Sequence, residues 1–264
     1  MSLKEEFYKN GRFSDCPIYD LHGHMGPFYG AHFPGNSPEQ MAKTMKKFGI
    51  TLLVFCHHFT LFSPDVGNSA NIEAVKKFPD KFRAYCGINP HYSENIKKDL
   101  EDFEQNRDIF EGFKFLPDYH GVSLTDKRYK SVWEFAEREK LIILTHTWEG
   151  SLFDGPEQVR KCAEKYGNVK ILMGHSCHAA WDKAIKLAND FSNVYLELTA
   201  VPDEERGIIE RFVKEAGSEK IIFGVDFPWF NYLYYIGAIL GAEITDDDRK
   251  NIFFKNAMGL LKKT

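Results

Sequence analysis

Little in this chain points to nucleic acid, a membrane or a disulfide scaffold, and each absence narrows what it can be. There is no basic stripe and the net charge of -4 is mild, so no nucleic-acid partner is expected. No apolar run approaches a membrane span, and residues 1–6 lack the apolar core of a signal peptide. A cytoplasmic protein with no membrane partner is the expectation. The five cysteines are scattered, with no C-x-x-C pair, which removes a zinc finger or disulfide framework and leaves reduced thiols filling a core. Low-complexity stretches and Pro/Gly/Ser linkers are also missing, so residues 1–264 read as one domain. No G-x-G-x-x-G follows the first apolar run, which counts against a doubly wound sheet, the main competing architecture.

What the chain does contain is an alternation. With 264 residues and 43% hydrophobic content it can bury a large core. Apolar runs of strand length fall at 17–21, 50–55, 82–88, 113–115, 141–144, 169–173, 194–198 and 221–225. Nearly all are continuous rather than alternating, as parallel strands covered on both faces require. Amphipathic stretches separate them. Ser37-Pro38-Glu39-Gln40 reads as an N-cap, a first-turn proline and a capping-box glutamine, with Met41, Met45 and Phe48 on one face. Further helices are expected at 71–78, 94–103, 125–140, 156–166, 181–191, 203–216 and 246–261, with Gly167 and Gly217 as C-caps. Eight such units in a length near ~250 residues predict a (β/α)8 TIM barrel, with a short extra helix after strand eight, over residues 229–240.

Active sites of such barrels lie at the C-terminal ends of the strands, and there polar residues recur. The first run ends in Asp20-Leu21-His22-Gly23-His24, whose two imidazoles are spaced to point the same way from an extended chain. The second ends at Cys56-His57-His58, the fourth carries Lys114, the fifth His146, the sixth His175, the seventh Glu197 and Thr199, and the eighth Asp226. His22, His24, His146 and Asp226 come from strands one, five and eight, which closure brings around one axis. They form a donor set suited to zinc or a similar divalent ion, which lowers the pKa of bound water. Asp226 can then hold or take a proton, and His175 can orient the water or steady developing negative charge. His57, His58, Trp148 and Trp229 directly follow strand ends and are the candidate substrate contacts, together with Lys114.

This ordered set resembles the amidohydrolase superfamily, and within it the branch containing aminocarboxymuconate semialdehyde decarboxylase. The resemblance rests on Asp20-Leu21-His22-Gly23-His24, Gly112-Phe113-Lys114, His146, Gly174-His175, Phe223-Gly224-Val225-Asp226-Phe227-Pro228 and the closing stretch Asn251 through Ala257. It implies one divalent metal, usually zinc, held by His22, His24, His146 and Asp226, with His175 as a catalytic residue beside it. In other amidohydrolases a carboxylated fourth-strand lysine bridges a second metal. Here Gly-Phe-Lys-Phe-Leu-Pro looks like the mononuclear branch, with Lys114 a pocket residue.

The expected activity is hydrolysis of a small amide, lactone or ester by a metal-activated water, with Asp226 and His175 catalytic. The alternative keeps the same ligands and is non-oxidative decarboxylation of a small unsaturated or aromatic acid. No arginine stands at a strand end to clamp a carboxylate, which favours the first. A catalytically idle metal-binding barrel is the third reading. The aromatic stretch with Tyr232, Tyr234 and Tyr235 reads equally as cover for the pocket or as the contact of a homodimer.

Overall fold

The computed structural model describes residues 1–261, and residues 262–264 of the expected domain lie outside them. Eight strands form one parallel sheet in sequence order: β1 (Ile18–Met25), β2 (Ile50–His57), β3 (Phe82–Gly87), β4 (Phe110–Phe115), β5 (Ile142–Trp148), β6 (Lys170–His178), β7 (Val194–Glu197) and β8 (Ile221–Ile222). The helices are α1 (Leu3–Asn10), α2 (Pro38–Phe48), α3 (Pro64–Lys77), α4 (Ile96–Gln105), α5 (Pro117–His120), α6 (Lys130–Glu139), α7 (Pro156–Lys165), α8 (Trp181–Asp190), α9 (Ile208–Ala216), α10 (Tyr232–Gly241), α11 (Asp246–Lys250) and α12 (Asn256–Leu260). This is the expected TIM barrel, and α10 is the extra helix after strand eight.

Leu21, Val54, Tyr85, Ile142, Leu144, Leu172 and Ile222 pack together inside the sheet, with Ala257 and Leu260 of α12 against them. A larger cluster lies between the strands and the helices. Burying each such side chain is worth roughly 1.5–3 kcal/mol, which explains why the strands read as unbroken apolar runs. In α2, the Ser37 hydroxyl accepts from the Gln40 N–H at 3.4 Å, and Gly49 closes the helix at φ 74°.

The structure departs from the sequence reading at several elements, and α3 begins at Pro64 rather than at 71. β1 continues through His22 and His24, so both histidines sit within the strand, beside a register shift between Asp20 and Gly23; such irregularities re-aim side chains. β8 is only two residues long, and beyond it the buried Asp20 side chain accepts from Val225 N at 3.3 Å. Closure to β1 is completed by Leu21 N to Phe223 O at 3.0 Å and Asp226 N to His22 O at 2.7 Å. α7 ends on Tyr166 rather than Gly167. α9 starts only at Ile208, after Gly207 at φ 80°.

Candidate metal centre

The five chemistry-bearing residues of the sequence reading come together at the C-terminal end of the sheet, and each is buried. Two overlapping triads have donor atoms within 4.8 Å of one another: His22, His24 and Asp226, and His22, His146 and His175. His22 belongs to both. The geometry therefore does not set His175 apart from His146, since each closes the same triad.

Each ring is oriented from behind. His22 Nδ1 lies 3.0 Å from Glu197 Oε2, His24 Nδ1 3.0 Å from the Cys56 carbonyl, and His146 Nδ1 3.2 Å from Asp118 Oδ1. All three partners are acceptors, so each histidine carries its proton on Nδ1 and turns the Nε2 lone pair inward. Glu197 is fully occupied: it also accepts from His175 N at 3.1 Å, Thr199 N at 2.8 Å and Thr199 Oγ1 at 2.6 Å. Gly224 makes room for it, because a Cβ there would lie 1.9 Å from Glu197 Oε1.

The consequence is a meeting of acceptors. His24 Nε2 faces Asp226 Oδ1 at 3.1 Å, and His22 Nε2 lies 3.5 Å from the same oxygen. Neither nitrogen has a hydrogen to give, so the contact is repulsive unless positive charge lies within it. Asp226 Oδ1 and both ring nitrogens of His175 are buried without a hydrogen-bond partner. Burial acts to raise the Asp226 pKa, and positive charge on the His22 and His24 side of the carboxyl outweighs it and pulls it well below its ordinary range; with those rings neutral, a cation between them would supply that charge. Burial drives the His22 and His175 pKa values well down, so both rings are neutral. Neutral imidazoles beside an ionised carboxylate are the donor chemistry of a divalent-cation site, and these residues fit one.

Lys114 lies in the same region but beneath the rings. Its Nζ lies 2.9 Å from His22 Nε2, a lone pair that a bound ion would claim instead, the side chain is 1% exposed, and it is not among the residues lining the cavity above. Burial lowers its pKa, opposed by Asp226 and other acids around it.

That cavity has a volume of about 200 Å³. Its polar wall is His24, His57, His58, Thr60, His146, His175 and Asp226, and its apolar wall includes Phe28, Leu61, Leu116, Tyr119, Trp148, Trp229 and Phe230. No arginine or lysine lines it among the described residues.

Of the candidate substrate contacts, His58 has no nitrogen to spare. It donates from Nδ1 to Gly26 O at 2.7 Å and accepts at Nε2 from Trp229 Nε1 at 3.1 Å. It presents its ring, stacked between His24 at 4.9 Å and Phe33 at 5.6 Å. His57 Nδ1 accepts from Phe59 N at 3.1 Å, and its ring edge lies against Gly26, where a Cβ would come within 2.0 Å of Nε2. Trp148 and Trp229 both border the cavity. Asp118 and Tyr119, just after β4, carried no motif; Glu197 stood at a strand end, but nothing in its neighbours announced a role. The only signal for Asp118 was its position one turn after a strand.

The comparisons with known proteins bear on the fold and the family. An uncharacterised TIM-barrel protein from Bordetella bronchiseptica superimposes with a TM-score of 0.76 at 16% identity, covering 92% of this chain and 98% of that one. The 5-carboxyvanillate decarboxylase of Sphingomonas paucimobilis gives 0.73 at 12% identity, covering 95% and 100%. A dihydroxybenzoic acid decarboxylase from Polaromonas, with bound manganese and the inhibitor 2-nitroresorcinol, gives 0.70 at 17% identity, covering 93% and 96%. At these identities the likeness shows the fold. No curated protein matches the chain. A family model described as amidohydrolase matches residues 19–263, nearly the whole length. With that match spanning every strand that supplies the histidine cluster, the chain belongs to the amidohydrolase family of enzymes.

Proposed function

We propose that this protein is a metal-dependent decarboxylase of a small aromatic or unsaturated acid, with one divalent ion held by His22, His24, His146 and Asp226. The observation that carries the metal is the convergence of hydrogen-free acceptors on Asp226 Oδ1. When bound, the ion supplies positive charge that draws the substrate's oxygens into place and polarises them. That charge answers the missing arginine: with no cationic side chain lining the cavity, an acid would otherwise have no partner there.

The cavity supports the substrate class. An apolar cavity of ~150 Å³ accommodates benzene, so about 200 Å³ suits one ring with small substituents. The aromatic acids named for the Sphingomonas and Polaromonas proteins are of this kind. With only neutral groups beyond the metal ligands, a second carboxylate on the substrate would be buried unpaired.

The chain's own residues handle the proton. Asp226 is ionised in the resting state and takes a proton at a carboxylate oxygen from the substrate's acidic hydroxyl. It returns that proton to the ring carbon bearing the carboxylate. The carbon–carbon bond then breaks, its electron pair returns to the ring, and carbon dioxide leaves. His175, with both ring nitrogens free of protein partners, holds a substrate oxygen. The apolar wall excludes water, which favours decarboxylation over hydrolysis.

Three imidazoles and a carboxylate suit zinc, whereas the Polaromonas structure contains manganese; reconstitution with each ion decides. The five buried free cysteines support a reducing, cytoplasmic setting. The functional test incubates the zinc and manganese forms with hydroxybenzoates, lactones and esters. Carbon dioxide release without water addition is expected. Lactone or ester cleavage without carbon dioxide would replace this reading with hydrolysis.

A further inference from the structure

His175 is held in an unusual way for a residue with a chemical task. No polar group of the protein engages its ring. Its backbone is fixed, at φ 68° and with its N–H on Glu197, but the imidazole is placed by stacking on Trp148 at 4.5 Å and 18°. The His22 and His146 rings meet it only at steep angles, 54° and 69°, so among the described residues Trp148 is the one parallel face against it and what sets Trp148 helps set His175.

That group is Asp118. Its Oδ2 accepts from Trp148 Nε1 at 3.1 Å, while Oδ1 faces His146 Nδ1 at 3.2 Å. One carboxylate thus reaches both a proposed metal ligand and the platform under the catalytic histidine, linking the ends of β4, β5 and β6. We propose that Asp118 is a positioning residue for the reaction. It keeps the His146 proton on Nδ1, and through Trp148 it fixes the angle at which the His175 ring meets the cavity.

The chemistry requires a carboxylate. Both partners are donors, so both oxygens must accept. An asparagine offers one accepting oxygen and turns its amide hydrogens on the other donor, so Asp118→Asn keeps the volume and loses one of the two bonds. Trp148→Phe is the complementary change, which removes the indole N–H arm and some of the stacking surface but leaves the Asp118–His146 contact in place.

The role in turnover rests on the functional reading above, and the experiment separates the two. In metal-free protein, Asp118→Asn is expected to change tryptophan emission, and the difference is expected to vanish in a Trp148→Phe background. In metal titrations, Asp118→Asn is expected to weaken affinity ~10- to 100-fold, with Trp148→Phe unchanged. At saturating metal, kcat is expected to fall by up to ~10²-fold in both variants with little change in KM, as for a misplaced catalytic group. The double variant is expected to lose no more than Asp118→Asn alone. Losses in kcat that multiply in the double variant would overturn the proposal, as would Asp118→Asn with parental emission and parental kcat. If Asp118→Asn fails to fold, Trp148→Phe with full kcat overturns it alone. If the parent turns over no substrate, the functional reading fails, and emission and metal affinity still decide the role of Asp118.

Discussion

His24 and His146 turn their Nε2 atoms into one cluster from strands four apart, yet they are oriented by different means. His24 is held by a backbone carbonyl, Cys56 O at 3.0 Å, beneath the ring of His58. His146 is held by a side-chain carboxylate, Asp118 at 3.2 Å, whose side chain is 26% exposed. The first flank is roofed by aromatic rings: Phe33 and Phe28 pack on Trp229 at 4.6 and 5.1 Å, and Trp229 is bonded to His58. The second is wired by charge through Asp118 and Glu197. A backbone anchor survives substitution of its own residue, whereas a carboxylate anchor is open to tuning and to loss by one mutation.

The strongest way to break this comparison is to remove the residue common to both triads. His22→Ala is expected to abolish metal binding and turnover together, read by metal analysis of the purified protein. His175→Ala in the same assay shows whether the second triad ligates, since a full metal content with lost turnover makes His175 catalytic only.

Acid should separate the flanks next. Burial holds His58 at about 3 and His57 at about 4, both below the ordinary value near 6.5. The unfolded chain then binds more protons than the folded one, so this stability is complete above about pH 6.5 and is lost as pH falls toward 3. For His58 the loss amounts to as much as ~5 kcal/mol. Hydrogen exchange in residues 26–36 and Trp229 emission should report the roof loosening through this window, and a His58→Phe variant should show a shallower pH slope. A roof that is equally protected at pH 7 and pH 4 would contradict the assignment.

Glu197→Gln comes after it. Its amide would turn hydrogens toward the N–H groups of His22 and His175, and metal affinity is expected to fall ~10- to 100-fold, measured by competition with a chelator. The smallest effect sharpens the comparison from the other side. Cys56→Ala leaves the carbonyl that holds His24 in place, so metal affinity should stay within about twofold; a loss like that of Glu197→Gln would mean that the backbone anchor is not what orients His24.

The barrel was legible because its signal is local. Strands covered on both faces must be apolar throughout, and runs such as 50–55 and 169–173 say so without reference to their partners. His22, His24, His146, His175 and Asp226 were legible for a related reason: polar residues at the ends of such runs have no core to enter. Ser37 and Pro38 marked the start of α2 by backbone demands that depend on immediate neighbours. The length of β8 was not legible, since the chain beyond it bonds to a distant side chain, the Val225 N–H donating to Asp20, 205 residues away in the sequence.

The second layer of the site lay beyond the sequence for the same reason. Asp118 matters through His146 and Trp148, and Glu197 through His22 and His175, contacts spanning 28, 30, 175 and 22 residues. His58 read as a substrate contact because it follows a strand end, and only packing revealed that both its nitrogens are taken. What the sequence alone determined was the alternation of strands and helices and the identity of the donors at the barrel mouth, because these follow from local periodicity and residue chemistry. Only the tertiary structure decided which tautomer each donor adopts and which way its lone pair points. A hydrogen bond is directional over a few ångströms, and the partners that set it arrive from distant strands.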